Sequence, residues 1–228
     1  MKFFKTCCIN HILPFFILCL LFTGFITLYQ PTKINNDGTG SINLQYFTKA
    51  ASIPESKIIG SFAFTEPLVE DYFNSTNTEV KNVKFDHDVN DSVTYVTVNI
   101  DFKDISKLNM AKGFSNITAS LSKNDSGMIF NYAVLKDTAN AKLLTRLTYE
   151  FTFEGDIIST NGHKKESNTA AFVKMGSDLI SDSYFNVVFK EKTKNKMCGT
   201  LGIELPMVLF WGMYLSHKIR KSKKSKIV

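Results

Sequence analysis

Cysteine is missing from residues 30–197 of this 228-residue chain. The four cysteines, Cys7, Cys8, Cys19 and Cys198, lie in or beside two apolar stretches near the ends. The long middle segment therefore has no disulfide framework and no cysteine metal site, and an ordinary core must hold it. Excess charge is missing there as well. Residues 30–197 carry nineteen Lys and Arg against twenty Asp and Glu, a net of −1, so the chain's +6 comes from its ends. A basic protein raises the question of nucleic acid, and a near-neutral body answers that none is bound. A G-x-S-x-G elbow, an H-E-x-x-H helix and a Gly-rich phosphate loop are absent too. The reading that follows is of a protein that is not an enzyme, with no cofactor and no metal.

What is present begins with the two apolar stretches. Cys7–Tyr29 follows Lys2 and Lys5 and contains no acid or base except His11. It is longer than a signal-peptide apolar region, and Pro14 and Gly24 are tolerated in membrane helices. Gly199–Leu215 is apolar but for Glu204 and is followed by His217, Lys218, Arg220, Lys221, Lys223, Lys224 and Lys226. About 17–20 apolar residues suffice to cross a bilayer, and flanking cations mark the cytoplasmic side. The sequence thus predicts five parts: a cytoplasmic N-terminus (1–6), a signal anchor or transmembrane helix (7–29), an extracytoplasmic domain (30–197), a transmembrane helix (198–216) and a basic cytoplasmic tail (217–228). The expected location is the cell membrane, with the main domain outside the cytoplasm and both termini inside.

Within the middle segment, Gln30–Gly40 is polar and rich in Pro, Gly and Asn, which reads as a linker or turn. Ser41–Tyr46 alternates as a half-buried strand. Thr65-Glu66-Pro67 opens a short helix that places Leu68, Val69, Tyr72 and Phe73 on one side. Ser92–Phe102 alternates most cleanly, with Thr94, Val96, Val98, Ile100 and Phe102 on one face. Phe114–Ser122 and Met128–Leu135 read as a hairpin. Arg146–Glu154 alternates with Leu147, Tyr149, Phe151 and Phe153 on one side. Asn161-Gly162 is a turn, after which Asn168–Val173 and Tyr184–Lys190 return as strands. Paired strands with few helices predict an α+β domain, a mainly antiparallel curved sheet or half-barrel with one or two short helices, flanked by the two membrane helices.

The strands carry many aromatics. Phe62, Phe64, Tyr95, Phe102, Phe151, Phe153 and Phe185 are candidate lining residues of an apolar groove, with plain core filling as the alternative. His87 stands between Asp86 and Asp88, but neighbouring residues of a strand or turn point apart and cannot all chelate one ion. An active site would need Asp86, Asp88 and Asp91 to converge. Asn36-Asp37-Gly38 offers one carboxylate and reads as a turn.

Tyr149-Glu-Phe-Thr-Phe-Glu-Gly-Asp-Ile-Ile-Ser-Thr-Asn-Gly162, followed by Asn168-Thr-Ala-Ala-Phe172, resembles the LppM-type domain of bacterial envelope proteins. Phe172 stands where that pattern has Trp, and the residue before Cys19 is Leu18 rather than the small residue that lipid attachment needs. The resemblance implies an extracytoplasmic domain with a hydrophobic cavity that binds a lipid or glycolipid, and it brings no catalytic residue. The expected function is binding of a lipid or other amphiphilic envelope ligand by a membrane-anchored domain. The alternative is a non-catalytic envelope scaffold with no small ligand; its protein partner is not specified by the sequence.

Overall fold

The structure, a computed structural model, describes residues 26–191. Among these residues strands account for 55% and helices for 17%. The elements in chain order are β1 (Ile26–Ile34), β2 (Gly40–Lys49), β3 (Ile58–Ile59), β4 (Phe62–Ala63), α1 (Glu66–Phe73), β5 (Thr78–Asp88), β6 (Val93–Phe102), β7 (Ile117–Asn124), β8 (Gly127–Val134), α2 (Thr138–Ala141), β9 (Leu144–Phe153), β10 (Ile157–Thr160), β11 (His163–Glu166), β12 (Thr169–Met175) and β13 (Ser183–Phe189). Short 3-10 turns at Ile105–Met110, Lys112–Phe114 and Gly176–Ile180 join some of them.

The strands form a seven-stranded sheet in the order β11-β12-β9-β1-β2-β6-β5, a four-stranded sheet in the order β10-β13-β8-β7, and the small β3–β4 ladder. Alternation decides which side chains face inward. Ile42, Leu44 and Tyr46 of β2, Val96, Val98, Ile100 and Phe102 of β6, and Leu147, Tyr149, Phe151 and Phe153 of β9 are all buried. From the four-stranded sheet, Phe130 and Tyr132 of β8 and Phe185, Val187 and Phe189 of β13 meet them. The two sheets lock through rings: Phe130 lies 5.0 Å from Phe151, Tyr132 5.7 Å from Tyr149, and Phe153 4.3 Å from Phe189. Each such pair adds about 0.5–1.5 kcal/mol beyond area burial. The other half of the large sheet is covered by α1, whose Val69 and Phe73 are buried, and by Phe62 and Phe64 at β4.

Three expectations are corrected. The class is mainly β rather than α+β, because the helices are one or two turns long: α1 has eight residues and α2 four. The large sheet, expected to be mainly antiparallel, is mixed: β1 pairs with β9 in parallel, from Ile26 opposite Leu144 to Ile34 opposite Phe153. Third, the flanking membrane helices are not seen: among the described residues no helix is long and apolar enough to cross a membrane. Ile26–Tyr29, assigned to the first of those helices, opens the central strand instead, with Ile26 and Leu28 buried and Thr27 and Tyr29 on the opposite face. Residues 7–25 and 198–216 lie outside the described residues.

The expected linker at Gln30–Gly40 is in large part this same strand. Pro31 has no N–H to donate, which confines Pro to gaps in a ladder. The β1–β2 register accordingly skips Gln30 and Pro31 and resumes with Thr32 opposite Ile42, while the pairing with β9 runs on through both. Gln30 and Thr32 are polar yet buried. The Gln30 side-chain amide donates to the Tyr132 hydroxyl at 3.2 Å, so the strand's polar residue is satisfied by the opposing sheet.

The β7–β8 hairpin turns through Asn124–Gly127, where the Asn124 side-chain oxygen accepts from the N–H groups of Ser126 and Gly127 at 2.9 and 3.1 Å. Gly127 has φ +140°, and a Cβ there would lie 2.4 Å from the Phe189 carbonyl oxygen. Gly127→Ala is therefore expected to cost about 1–3 kcal/mol, read as a lower midpoint in urea unfolding of the full-length protein with an unchanged slope.

Candidate functional site

The seven aromatics proposed from sequence fall into separate places. Phe62 and Phe64 flank Tyr46, at 5.2 and 5.6 Å between ring centres. Phe102 is buried at the end of β6, and a Cβ on Gly40 would come within 2.6 Å of its ring. Phe151, Phe153 and Phe185 belong to the ring layer between the sheets. Tyr95 is 38% exposed and sits on the outer face of the large sheet beside Phe47, 5.1 Å away. The structure brings Phe62 with Phe64, and Phe151 with Phe153 and Phe185, but it does not join the seven in one groove.

An interior cavity of about 40 Å³ lies between the large sheet and its cover, bounded by Leu28, Gln30, Leu147 and Tyr149 of the sheet and by Phe62 and Asn140 of the covering segments. That volume suits a few waters and is far below the roughly 300 Å³ at which small-molecule sites begin. Asn140 is buried, donates to Ser61 at 3.0 Å and to the Asp137 carboxylate at 2.6 Å, and has its side-chain oxygen without a partner among the described residues. Burial pushes the Tyr149 and Tyr132 hydroxyls well above the ordinary tyrosine range, and it does the same to Tyr46, whose O–H donates to the Ala63 carbonyl.

The roomier feature is a cleft of about 460 Å³ where the edges of the two sheets part, between β12 and β13. Its floor is Phe172 and Phe185, stacked at 4.5 Å. Its end is the Asn161-Gly162 turn between β10 and β11, where the chain passes from one sheet to the other. Gly162 is needed there because a Cβ would sit 2.3 Å from the Phe172 ring. Lys174 lines the cleft with its ammonium 6.0 Å above the Phe185 ring, and no carboxylate is among the lining residues. Val173 and Tyr184 line it and are at least half exposed, as are Met175 at the end of β12 and Ile180 in the turn that follows. Of the residues proposed from sequence, Phe185 alone lines the cleft. Val173, Lys174 and Tyr184 were not proposed; their one sequence signal is apolar residues on the outward positions of strands, at Val173 and Met175.

The acidic residues considered for chemistry serve locally. Asp86 pairs with Lys84 at 2.8 Å. Asp88 accepts from the backbone of Asn90 and Asp91 at 2.9 and 3.4 Å. His87 Nδ1 meets the Thr94 hydroxyl at 3.4 Å. Asp37 accepts from the Thr39 N–H and hydroxyl at 3.0 and 2.7 Å, as a turn residue does. Among the described residues no group of three or more His, Cys, Asp or Glu is placed to hold a metal ion.

No protein-family model matches the chain, and no curated protein does. Among solved structures it is similar to the NMR structure of the folded domain of LppM from Mycobacterium tuberculosis, at 12% identity and a TM-score of 0.39, over 75% of this chain and 92% of that one. It is also similar to yeast LTA4 hydrolase in complex with bestatin, at 9% identity and a TM-score of 0.31, over 73% of this chain and 28% of that one. The likeness to LppM is a weak fold-level resemblance and does not establish the family suggested by the Tyr149–Phe172 motif.

The buried tyrosines make the fold sensitive to alkali. Tyr46, Tyr132 and Tyr149 keep their protons to a higher pH in the folded protein than in the unfolded chain. Their contribution is intact below about pH 10 and falls as pH rises beyond it, by up to about 1.4 kcal/mol per tyrosine per pH unit. Tyrosinate absorbance of these residues should appear together with unfolding rather than before it, and Tyr149→Phe should flatten the fall of stability above about pH 10.

Proposed function

We propose that the domain is a non-catalytic interaction module of the cell envelope that docks a protein partner along the β12–β13 rim. One observation carries this reading: Val173, Met175, Ile180 and Tyr184, four of the ten large exposed apolar side chains among the described residues, lie on β12 and β13, consecutive strands of different sheets that flank the cleft, and on the turn that joins them. Such clustering on a surface marks a site of contact, whereas scattered exposed residues need no explanation. The small interior cavity supports a partner at the surface rather than a ligand inside. The setting we assign is outside the cytoplasm, in keeping with the near-neutral, cysteine-free segment between basic ends.

A second reading keeps an amphiphilic ligand, a lipid or glycolipid, as the occupant of the cleft. The observation that favours it is the Phe172–Phe185 floor beneath the Lys174 ammonium, which offers apolar contact and a cation together.

The two readings part under photo-crosslinking in cells, with a benzophenone amino acid placed at Val173 or Tyr184 of the full-length protein and, as a control, at Phe47. A discrete protein adduct from the rim positions and none from Phe47 is the expected result. Lipid adducts alone would favour the second reading, and no rim adduct of either kind would contradict both.

A further inference from the structure

The edges of the two sheets are guarded unequally. β5 is long, but it carries a bulge between Val80 and Asn82 and the charges of Lys81, Lys84, Asp86 and Asp88, both of which discourage an added strand. The 3-10 turn Ile105–Met110 packs against β7. Beyond β10, the edge of β13 is closed by Asn161: its backbone N–H donates to the Asn186 carbonyl at 3.2 Å, its side-chain oxygen accepts from the Asn186 N–H at 2.8 Å, and its side-chain amide donates to the Tyr184 carbonyl at 3.0 Å.

Over its second half β12 is capped at its last N–H alone. β11 pairs with it only as far as His163 opposite Ala171, which leaves Phe172–Met175 with a strand on one side only. The direction of the backbone groups there follows from two bonds. Phe153 N–H donates to the Asn168 carbonyl at 3.0 Å, so the even-numbered residues of this segment turn their polar groups toward β9. The Met175 N–H goes the other way and is taken by the Asp178 carboxylate at 2.9 Å. Alternation then sends the N–H and carbonyl of Val173 to the open side. The side chains complete the pattern. Val173 and Met175 are half exposed on the outer face. Lys174 is on the inner face, with no carboxylate within 4.0 Å among the described residues.

We propose that the open half of β12 accepts an added strand: an extended segment of a partner protein, in line with β11, carrying an acidic residue opposite Lys174 between two apolar residues opposite Val173 and Met175. This rests on the reading of the domain as an interaction module and names the chemistry of its partner. The peptide backbone supplies an acceptor and a donor for the two groups of Val173, which an acyl chain does not. Cross-strand pairs of apolar residues and of opposite charges stabilise such an addition, and like charges placed opposite oppose it.

The test uses full-length protein and a short fluorescent peptide alternating valine and glutamate, with binding followed by anisotropy. It should bind at least about tenfold more tightly than its valine–lysine counterpart, and Lys174→Glu should reverse that order. N-methylation of alternate residues on the ladder side of the peptide should abolish binding. Equal binding of the two peptides, or undiminished binding of the N-methylated one, would overturn the strand-addition proposal. If the rim positions still crosslink a protein while these peptides fail, the interaction reading stands and the partner chemistry assigned here is wrong. Failure of both assays removes both.

Discussion

Strand β1 is the joint on which the large sheet depends: β2, β6 and β5 extend from one of its sides, and β9, β12 and β11 from the other. Its parallel partner, β9, lies more than a hundred residues away in sequence, so the sheet closes only after the intervening chain has folded back across it. Such pairings are entropically slow to form. The strand fits this place because Ile26, Leu28 and Ile34 fill the inner face while Gln30 and Thr32 find polar partners there. Pro31 is accommodated because it loses hydrogen bonds to β2 alone.

The aromatic layer beneath β1 and β9 explains both what the core does and what it does not leave room for. Phe130, Tyr132, Tyr149, Phe151, Phe153 and Phe185 occupy the space between the sheets as a continuous set of ring contacts. An interior so packed leaves a small, partly polar cavity at its margin. The larger concave space lies instead where the sheets diverge, beyond the last pair of rings, Phe172 and Phe185.

Much of this arrangement was legible in the sequence. Alternation marked β6 and β9 with the correct inward faces, and β13 as a strand, because each has one face buried and one solvated. Thr65-Glu66-Pro67 marked α1, and Asn161-Gly162 the turn between sheets. β1 was hidden for two physical reasons: its first residues continue an apolar run, which masks period-two alternation, and its later ones are polar and include Pro, which reads as a linker. Its parallel pairing with β9 depends on residues too far apart for any local pattern to reveal. The groove expected from Phe62, Phe64, Tyr95, Phe102, Phe151, Phe153 and Phe185 counted rings without knowing which strands face each other; Tyr95 points outward, Phe62 and Phe64 lie against Tyr46, Phe102 is buried at the end of β6, and Phe151, Phe153 and Phe185 lie between the sheets. The rim residues escaped notice because an open strand edge arises from the shortness of its neighbour, β11, and not from anything in β12 itself.

The contact surface proposed for this protein is the strand edge left free by four-residue β11. Residue-resolved hydrogen exchange of the full-length protein tests that directly. The amides of Phe172 and Lys174, turned toward β9, should exchange slowly, and the amide of Val173 between them should exchange at close to the rate of an unprotected loop. A Val173 amide as protected as its two neighbours would mean that the edge is already covered, and the account would fail.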